Sequence, residues 1–316
     1  MLRILLVKTS SLGDVVHNFP VASDVRKHFP DACIDWVVEE PYVSMVRLHP
    51  DVRRVIPVAL RRWRHNLLGP DTWKGIGEFR RMSRIERYDA IIDTQGLLKS
   101  ALIARTARGR HHGFDASSAR EGLAARLYDA THHVRRAQHA VVRNRQLAAA
   151  SLGYRVEEPI RYGLKVAAAA GDGPPYCVLL HGTSRADKLW PVEAWAALGR
   201  RLEERGLMCV LPWGDTAERG RSERIAAELQ QATIPPLMSL EKMARLLSGA
   251  AAVIGVDTGL VHLSAALARP TVAVFAGSNP ELTGVYGAPL SRNLGRQGTP
   301  PGVDEILNAL RDMNVL

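Results

Sequence analysis

The chain is 316 residues long, about twice a typical domain, so two domains are the default expectation. A composition of 46% hydrophobic and 23% charged residues excludes wholesale disorder, and no stretch approaches the ~18 apolar residues of a membrane-spanning helix. The net charge of +10 is concentrated: residues 53–145 carry 20 Lys/Arg against 8 Asp/Glu, while the remainder carries 22 against 24. Such a window attracts an anionic partner, whether nucleic acid, an acidic membrane surface, or a phosphorylated or carboxylated substrate. Cys33, Cys177 and Cys209 stand far apart in apolar runs, which is neither a disulfide framework nor a zinc ligand set and suits a reducing compartment. The first apolar run is too short for a signal peptide, and Lys8 interrupts it. A cytosolic or peripheral protein is expected.

Short β-rich runs alternate with helical patterns along the whole chain. In the first half, strands are expected over 3–9, 33–40, 53–58 and 88–95, with a weaker one over 110–115; helices are expected over 15–28, 97–107, 118–129 and 138–152. In the second half the strands read 176–181, 208–212, 251–256 and 271–275, and the helices 191–205, 216–231, 239–247 and 259–267. Continuous apolar strands alternating with helices imply parallel sheets covered on both faces. An Ala/Gly/Pro-rich stretch, 166–175, separates the two series and reads as a linker. The expected architecture is α/β, two doubly wound Rossmann-like domains facing a cleft, over 1–165 and 166–316. The last helix, 303–313, fits against either half.

Ligands of such sheets bind at the carboxyl ends of strands, near helix N-termini. Neither a G-x-G-x-x-G fingerprint nor a Walker A pattern follows any strand, so the site is built from other loops. The first strand runs into Ser10-Ser11-Leu12-Gly13-Asp14 at a helix start, where Asp14 is either an N-cap or a general base for an attacking hydroxyl. In the second half, Gly182-Thr183-Ser184 with Lys188 offers two hydroxyls and an ammonium to a diphosphate; the alternative is a polar turn with a solvated lysine. Asp257-Thr258-Gly259 ends a strand and opens a helix, whose N-terminus favours an anion. Its strand–turn–helix context separates it from the aspartic-protease D-T-G. His262, one turn on, is either a buried structural histidine or a ligand contact. Glu218 is placed to accept from ribose hydroxyls, and Met238 to line an adenine pocket. Arg61-Arg62-Trp63-Arg64 and Arg120 are candidates for carboxylates or phosphates, against the plainer reading of a solvated basic run. The pairs His111-His112 and His132-His133 lack metal-ligand spacing.

Taken together these motifs resemble the bacterial lipopolysaccharide heptosyltransferases. The likeness is carried by Val7-Lys8-Thr9-Ser10-Ser11-Leu12-Gly13-Asp14, Asp35-Trp36-Val37-Val38-Glu39-Glu40, Arg61-Arg62-Trp63-Arg64, Gln95-Gly96-Leu97-Leu98-Lys99-Ser100, Ser151-Leu152-Gly153-Tyr154, Met238-Ser239-Leu240-Glu241 and Asp257-Thr258-Gly259. It covers nearly the whole chain, and the Trp- and Arg-containing motifs of the first half resemble the type I branch. The resemblance implies the GT-B fold and inverting, metal-independent transfer of L-glycero-D-manno-heptose from ADP-heptose to the first Kdo of Kdo-lipid A. It implies no cofactor and no nucleic acid, and a peripheral place at the cytoplasmic face of the inner membrane, on its anionic surface. Matching positions make Asp14 the base. Thr183, Ser184, Lys188, Glu218, Met238, Asp257, Thr258, Gly259 and His262 fall on the donor side, with Arg61, Arg62, Arg64 and Arg120 on the acceptor side. Ser184 stands where the family pattern has a second threonine, and the chain departs from the pattern beyond Gly287. A later heptosyltransferase of the same pathway and a nucleic-acid-binding protein are the competing readings.

Overall fold

Runs such as Ile4–Val7 and Ala252–Val256 are apolar at every position because both faces of their sheets are covered, and their side chains are fully buried. The computed structural model describes residues 1–67, 69–166 and 173–316. Two units emerge, Met1–Leu164 and Lys165–Leu316. The stretch expected as a linker, 166–175, lies largely outside the described residues.

In the first unit, β1 (Arg3–Val7), β2 (Cys33–Glu39), β3 (Val52–Val58), β4 (Arg87–Asp93), β5 (Arg108–Phe114) and β6 (Ala130–His132) form one sheet in the order β3-β2-β1-β4-β5-β6. Every pairing is parallel. In the second, β7 (Tyr176–Leu180), β8 (Met208–Val210), β9 (Ala232–Thr233), β10 (Ala252–Val256), β11 (Thr271–Phe275) and β12 (Ser291–Gly295) run β12-β11-β10-β7-β8-β9, again all parallel. Both are the doubly wound Rossmann order, and the order reverses between β1 and β4 and between β7 and β10. Ligands of open α/β sheets bind outside the carboxyl ends of strands at such switch points. The loops after β1, β4, β7 and β10 are therefore where chemistry is expected.

Several elements differ from the sequence expectation, each for a local reason. The helix expected over 15–28 is two helices, Leu12–Val16 and Phe19–His28, because Pro20 lacks an amide hydrogen and sits in the first turn of the second. The helix expected over 118–129 is a 3₁₀ turn, Gly122–Leu127, followed by edge strand β6 on β5. Helix Pro70–Ser83 and edge strands β9 and β12 were not foreseen. The final helix, Val303–Asp312, buries Ile306, Leu307 and Leu310 in the core of the second unit.

Candidate active site

The loop after β1 is held in place from β4. The Gln95 side chain accepts from the amides of Thr9 (3.1 Å) and Ser10 (3.4 Å) and donates to the Ser10 carbonyl (2.6 Å). Gln95 is set in turn by buried Asp93, which accepts from its amide at 2.8 Å and from the Ser100 and Tyr128 hydroxyls, each at 2.7 Å. Burial pushes the Asp93 carboxyl up, opposed by those donors. Asp14 is the third residue of helix Leu12–Val16 rather than its N-cap, which is Ser11. One Asp14 oxygen accepts from the Ser11 amide at 3.1 Å, the reciprocal half of a capping box, and the other accepts from Arg120 at 3.0 Å. The second contact orients the carboxylate while leaving a lone pair for a substrate proton.

Around Asp14 the structure gathers a small pocket lined also by Lys8, Thr94, Phe114, Arg120, Arg143 and Asn144. Lys8 is buried and donates to the Thr94 carbonyl (2.7 Å) and Asn144 (3.4 Å). Burial lowers its amine to about 8; the Asp14 charge opposes that fall and Arg120 adds to it. Arg143 lies over the Phe114 ring at 4.8 Å, and its Nε is buried without a partner. Neither Lys8 nor Arg143 was picked out as a site residue. The signal for Lys8 was present, a lysine closing an otherwise apolar strand. Arg143 sits in the first turn of helix Ala140–Leu152, where sequence offers no sign of which way its side chain leaves the helix.

The Arg61–Arg64 run opens the helix after β3. Trp63 packs into the core beside Phe79, while Arg61, Arg62 and Arg64 are exposed. Arg61 donates to the Tyr42 hydroxyl at 3.2 Å, Arg62 pairs with Glu40 at 2.7 Å, and among the described residues Arg64 makes no ion pair. These arginines share the carboxyl end of the sheet with Asp14, and among the described residues their side-chain hydrogen bonds and ion pairs run to Tyr42 and Glu40 rather than to Asp14 or Arg120.

In the second unit, Asp257 follows β10 and is a hub. It accepts from Lys188 (2.6 Å) and Ser278 (2.6 Å), with His262 Nε2 at 3.8 Å and the Thr183 hydroxyl on its backbone carbonyl at 3.2 Å. Burial alone would raise its carboxyl, but donation from His262, Lys188 and Ser278 overcomes this and holds it well below the usual carboxylate range. Thr258 is the N-cap of helix Gly259–Ala266, and its hydroxyl makes no cap bond to that helix. Ser184 is exposed, and His262 is buried. Beside this hub a pocket is lined by Gly182, Pro212, Trp213, Gly214, Glu218, Met238, Leu240 and Thr258. Glu218 accepts from the Gly214 amide at 2.7 Å, and a side chain at Gly182 would collide with the Glu218 carboxylate at 2.3 Å. One apolar wall of Met and Trp, a carboxylate and a helix start is the chemistry a nucleotide requires. Ser278 follows β11, one strand beyond the β7/β10 switch point, so the topology alone does not send it to the site.

The described residues hold no group of three or more His, Cys, Asp or Glu that could bind a metal ion, and no helix long and apolar enough to cross a membrane. The chain matches the model of glycosyltransferase family 9 (heptosyltransferase) over residues 76–301. It is 48% identical over 295 residues to lipopolysaccharide heptosyltransferase 1 of Pseudomonas aeruginosa, covering 90% of this chain and 82% of that one. It is 44% identical over 293 residues to the same enzyme of Escherichia coli, covering 90% and 91%. The solved structure of the E. coli heptosyltransferase WaaC with ADP superposes with a TM-score of 0.91 at 39% identity, covering 99% of this chain and 100% of that one. With the family model matched over residues 76–301 and identities of 44–48% over nine-tenths of the chain, the chain belongs to glycosyltransferase family 9, the heptosyltransferases of lipopolysaccharide core synthesis.

Proposed function

We propose that this glycosyltransferase moves L-glycero-D-manno-heptose from ADP-heptose to the first Kdo of Kdo-lipid A, with inversion and without a bound metal. The acceptor falls to the N-terminal unit and the donor to the C-terminal unit. The observation that carries this reading is the pairing of chemistry with topology: a carboxylate oriented by an arginine at one switch point, and a lysine–carboxylate hub at a helix start at the other.

In this reading Asp14 takes the proton of the Kdo hydroxyl as its oxygen bonds to the anomeric carbon. The bond from that carbon to the diphosphate breaks on the opposite face, and ADP leaves with the electron pair. Lys188, the Thr183 and Ser184 hydroxyls, and the amides of Thr258 and Gly259 at the helix start meet the charge developing on the diphosphate. Asp257 holds the Lys188 ammonium in position through their 2.6 Å bond. Glu218 and Met238 take the ribose and adenine, with His262 supporting Asp257. Arg61, Arg62, Arg64 and Arg120 receive the carboxylates and phosphates of the acceptor. The basic first unit also sets the enzyme against the anionic cytoplasmic face of the inner membrane.

The test is ADP release from ADP-heptose with de-acylated Kdo-lipid A, with Asp14→Ala alongside. Acceptor-dependent release that falls by about 10²–10⁴-fold in the variant, the usual worth of a general base, is the expected result. Release that survives the substitution removes Asp14 from this role. Turnover only on an already heptosylated core moves the enzyme one step along the pathway.

A further inference from the structure

Five of the six tryptophans are used by the fold. Trp36, Trp63, Trp190 and Trp195 are buried, and Trp213 is half-buried with its Nε1–H on the Pro235 carbonyl. Trp73 is 63% exposed, and Leu67, six residues before it, is 62% exposed. The two sit on one piece of structure: the Thr72 hydroxyl donates to the Asn66 carbonyl at 2.7 Å, and the Thr72 and Gly69 amides close the turn between them. Helix Pro70–Ser83 turns Thr72, Phe79 and Ser83 inward. Trp73, Gly77, Arg80, Arg81 and Arg84 recur at helical spacing on the outside, and all are exposed. Residues 60–84 contain seven Lys/Arg and two Asp/Glu.

Resting on the proposed lipid-anchored acceptor, we infer that this face is the membrane-docking surface of the enzyme, with Trp73 and Leu67 entering the headgroup region of an anionic bilayer. Apolar residues at the tip of a basic amphipathic helix are what an interfacial element requires: charge draws the surface in, and the buried apolar area holds it. Tryptophan is suited to that depth, with an apolar ring and one N–H for the wet side. A nucleic acid would satisfy the arginines but leave Leu67 without a partner. Arg61, Arg62 and Arg64, three to six residues before Leu67 in the chain, are exposed as well, so a bilayer seated on this face would lie close in the chain to the arginines proposed to take a lipid-anchored sugar.

The test uses the intact enzyme and vesicles of phosphatidylcholine alone or with one quarter phosphatidylglycerol. Tryptophan emission is expected to shift to the blue and to be quenched by brominated acyl chains only with the anionic vesicles, and Trp73→Phe should remove the shift. A Leu67→Ser/Trp73→Ser variant should lose at least tenfold in vesicle partitioning while turning over a de-acylated, soluble acceptor within twofold of the parent. Arg80→Glu/Arg81→Glu should weaken partitioning as strongly, and raising the salt from 50 to 500 mM should mimic it. Equal binding to neutral vesicles, an unshifted Trp73, undiminished partitioning of the serine variant, or an equal emission response to an oligonucleotide would overturn the assignment. Failure of the parent on the soluble acceptor would instead strike at the proposed reaction, independently of the vesicle result.

Discussion

A buried lysine whose amine falls to about 8 lies beside the proposed base, and its charge is part of the pocket proposed to receive the acceptor. Below that pH Lys8 is an ammonium sharing the pocket with Arg120 and Arg143; above it the pocket has lost one positive charge. The KM for an anionic acceptor should therefore rise about three- to tenfold between pH 7 and 9, a change of order 1 kcal/mol for one partly screened charge. Lys8→Arg, which stays protonated, should flatten that limb, and steady-state kinetics across the range checks it. Asp257 gives the opposite sign. Its folded-state carboxyl is depressed by Lys188, Ser278 and His262, so it adds stability above the ordinary carboxylate pKa of about 3.9, and that stability is lost as pH falls toward the depressed value. Asp257→Asn should cost about 1.5–3 kcal/mol at pH 7, the worth of a hydrogen bond to a charged group, and should flatten stability against pH between 4 and 2. Denaturant midpoints measured at each pH test both statements. At this scale sequence singles out residues at strand ends before helices, such as Asp14 and Asp257, because topology alone sends them to the site. Arg143 and Ser278 were hidden because their roles depend on which way a side chain leaves a helix or on which neighbouring loop folds inward.

Individual elements are held by charges as well as by packing. Arg145, on helix Ala140–Leu152, is 1% exposed and makes a two-pronged pair with Asp24 on helix Phe19–His28, at 2.7 and 3.0 Å, with Glu158 at 3.1 Å. Removing the guanidinium strands the Asp24 carboxylate where water cannot replace it. Arg145→Met is expected to cost about 3–5 kcal/mol, and adding Asp24→Asn should recover a large part of the loss. A midpoint for the double variant below that of Arg145→Met would show that the pair is not what joins the two helices. Most central strands were legible as apolar runs with both faces covered, whereas β5, Arg108–Phe114, showed only weakly because its first half is basic and part-exposed. Of the four edge strands only β3 was legible: β6 and β9 are three and two residues long, and β12, Ser291-Arg292-Asn293-Leu294-Gly295, is polar because one side of it meets solvent. Helix Pro70–Ser83 hid behind Gly75 and Gly77, which lower its intrinsic helicity by about 1 kcal/mol each. Phe79 and the loop-closing Thr72 restore it through contacts no local pattern announces.

For the whole molecule, the repetition of one strand order in both halves makes each a complete doubly wound sheet with its own core. The second unit packs Trp195, Leu198, Leu202, Ile254 and Val274 with Ile306, Leu307 and Leu310 of the final helix. The proposed nucleotide pocket and the Asp257 hub are built wholly from its residues. Residues 165–316 expressed alone should therefore melt cooperatively and bind ADP within about tenfold of the intact chain by titration calorimetry, while transferring nothing, since Asp14 is absent. The tail is part of that statement. Burying an Ile or Leu side chain contributes about 1.5–3 kcal/mol, so the three from the last helix amount to about 5–9 kcal/mol, comparable with the whole stability of an ordinary domain. Ending the fragment at residue 300 should abolish its cooperative melting, although every donor-side residue is retained. If the shorter fragment still melts cooperatively and binds ADP, the helix is only an appendage; if the longer one fails to melt, the second core depends on the first unit, and the repeated strand order does not make two independent folds.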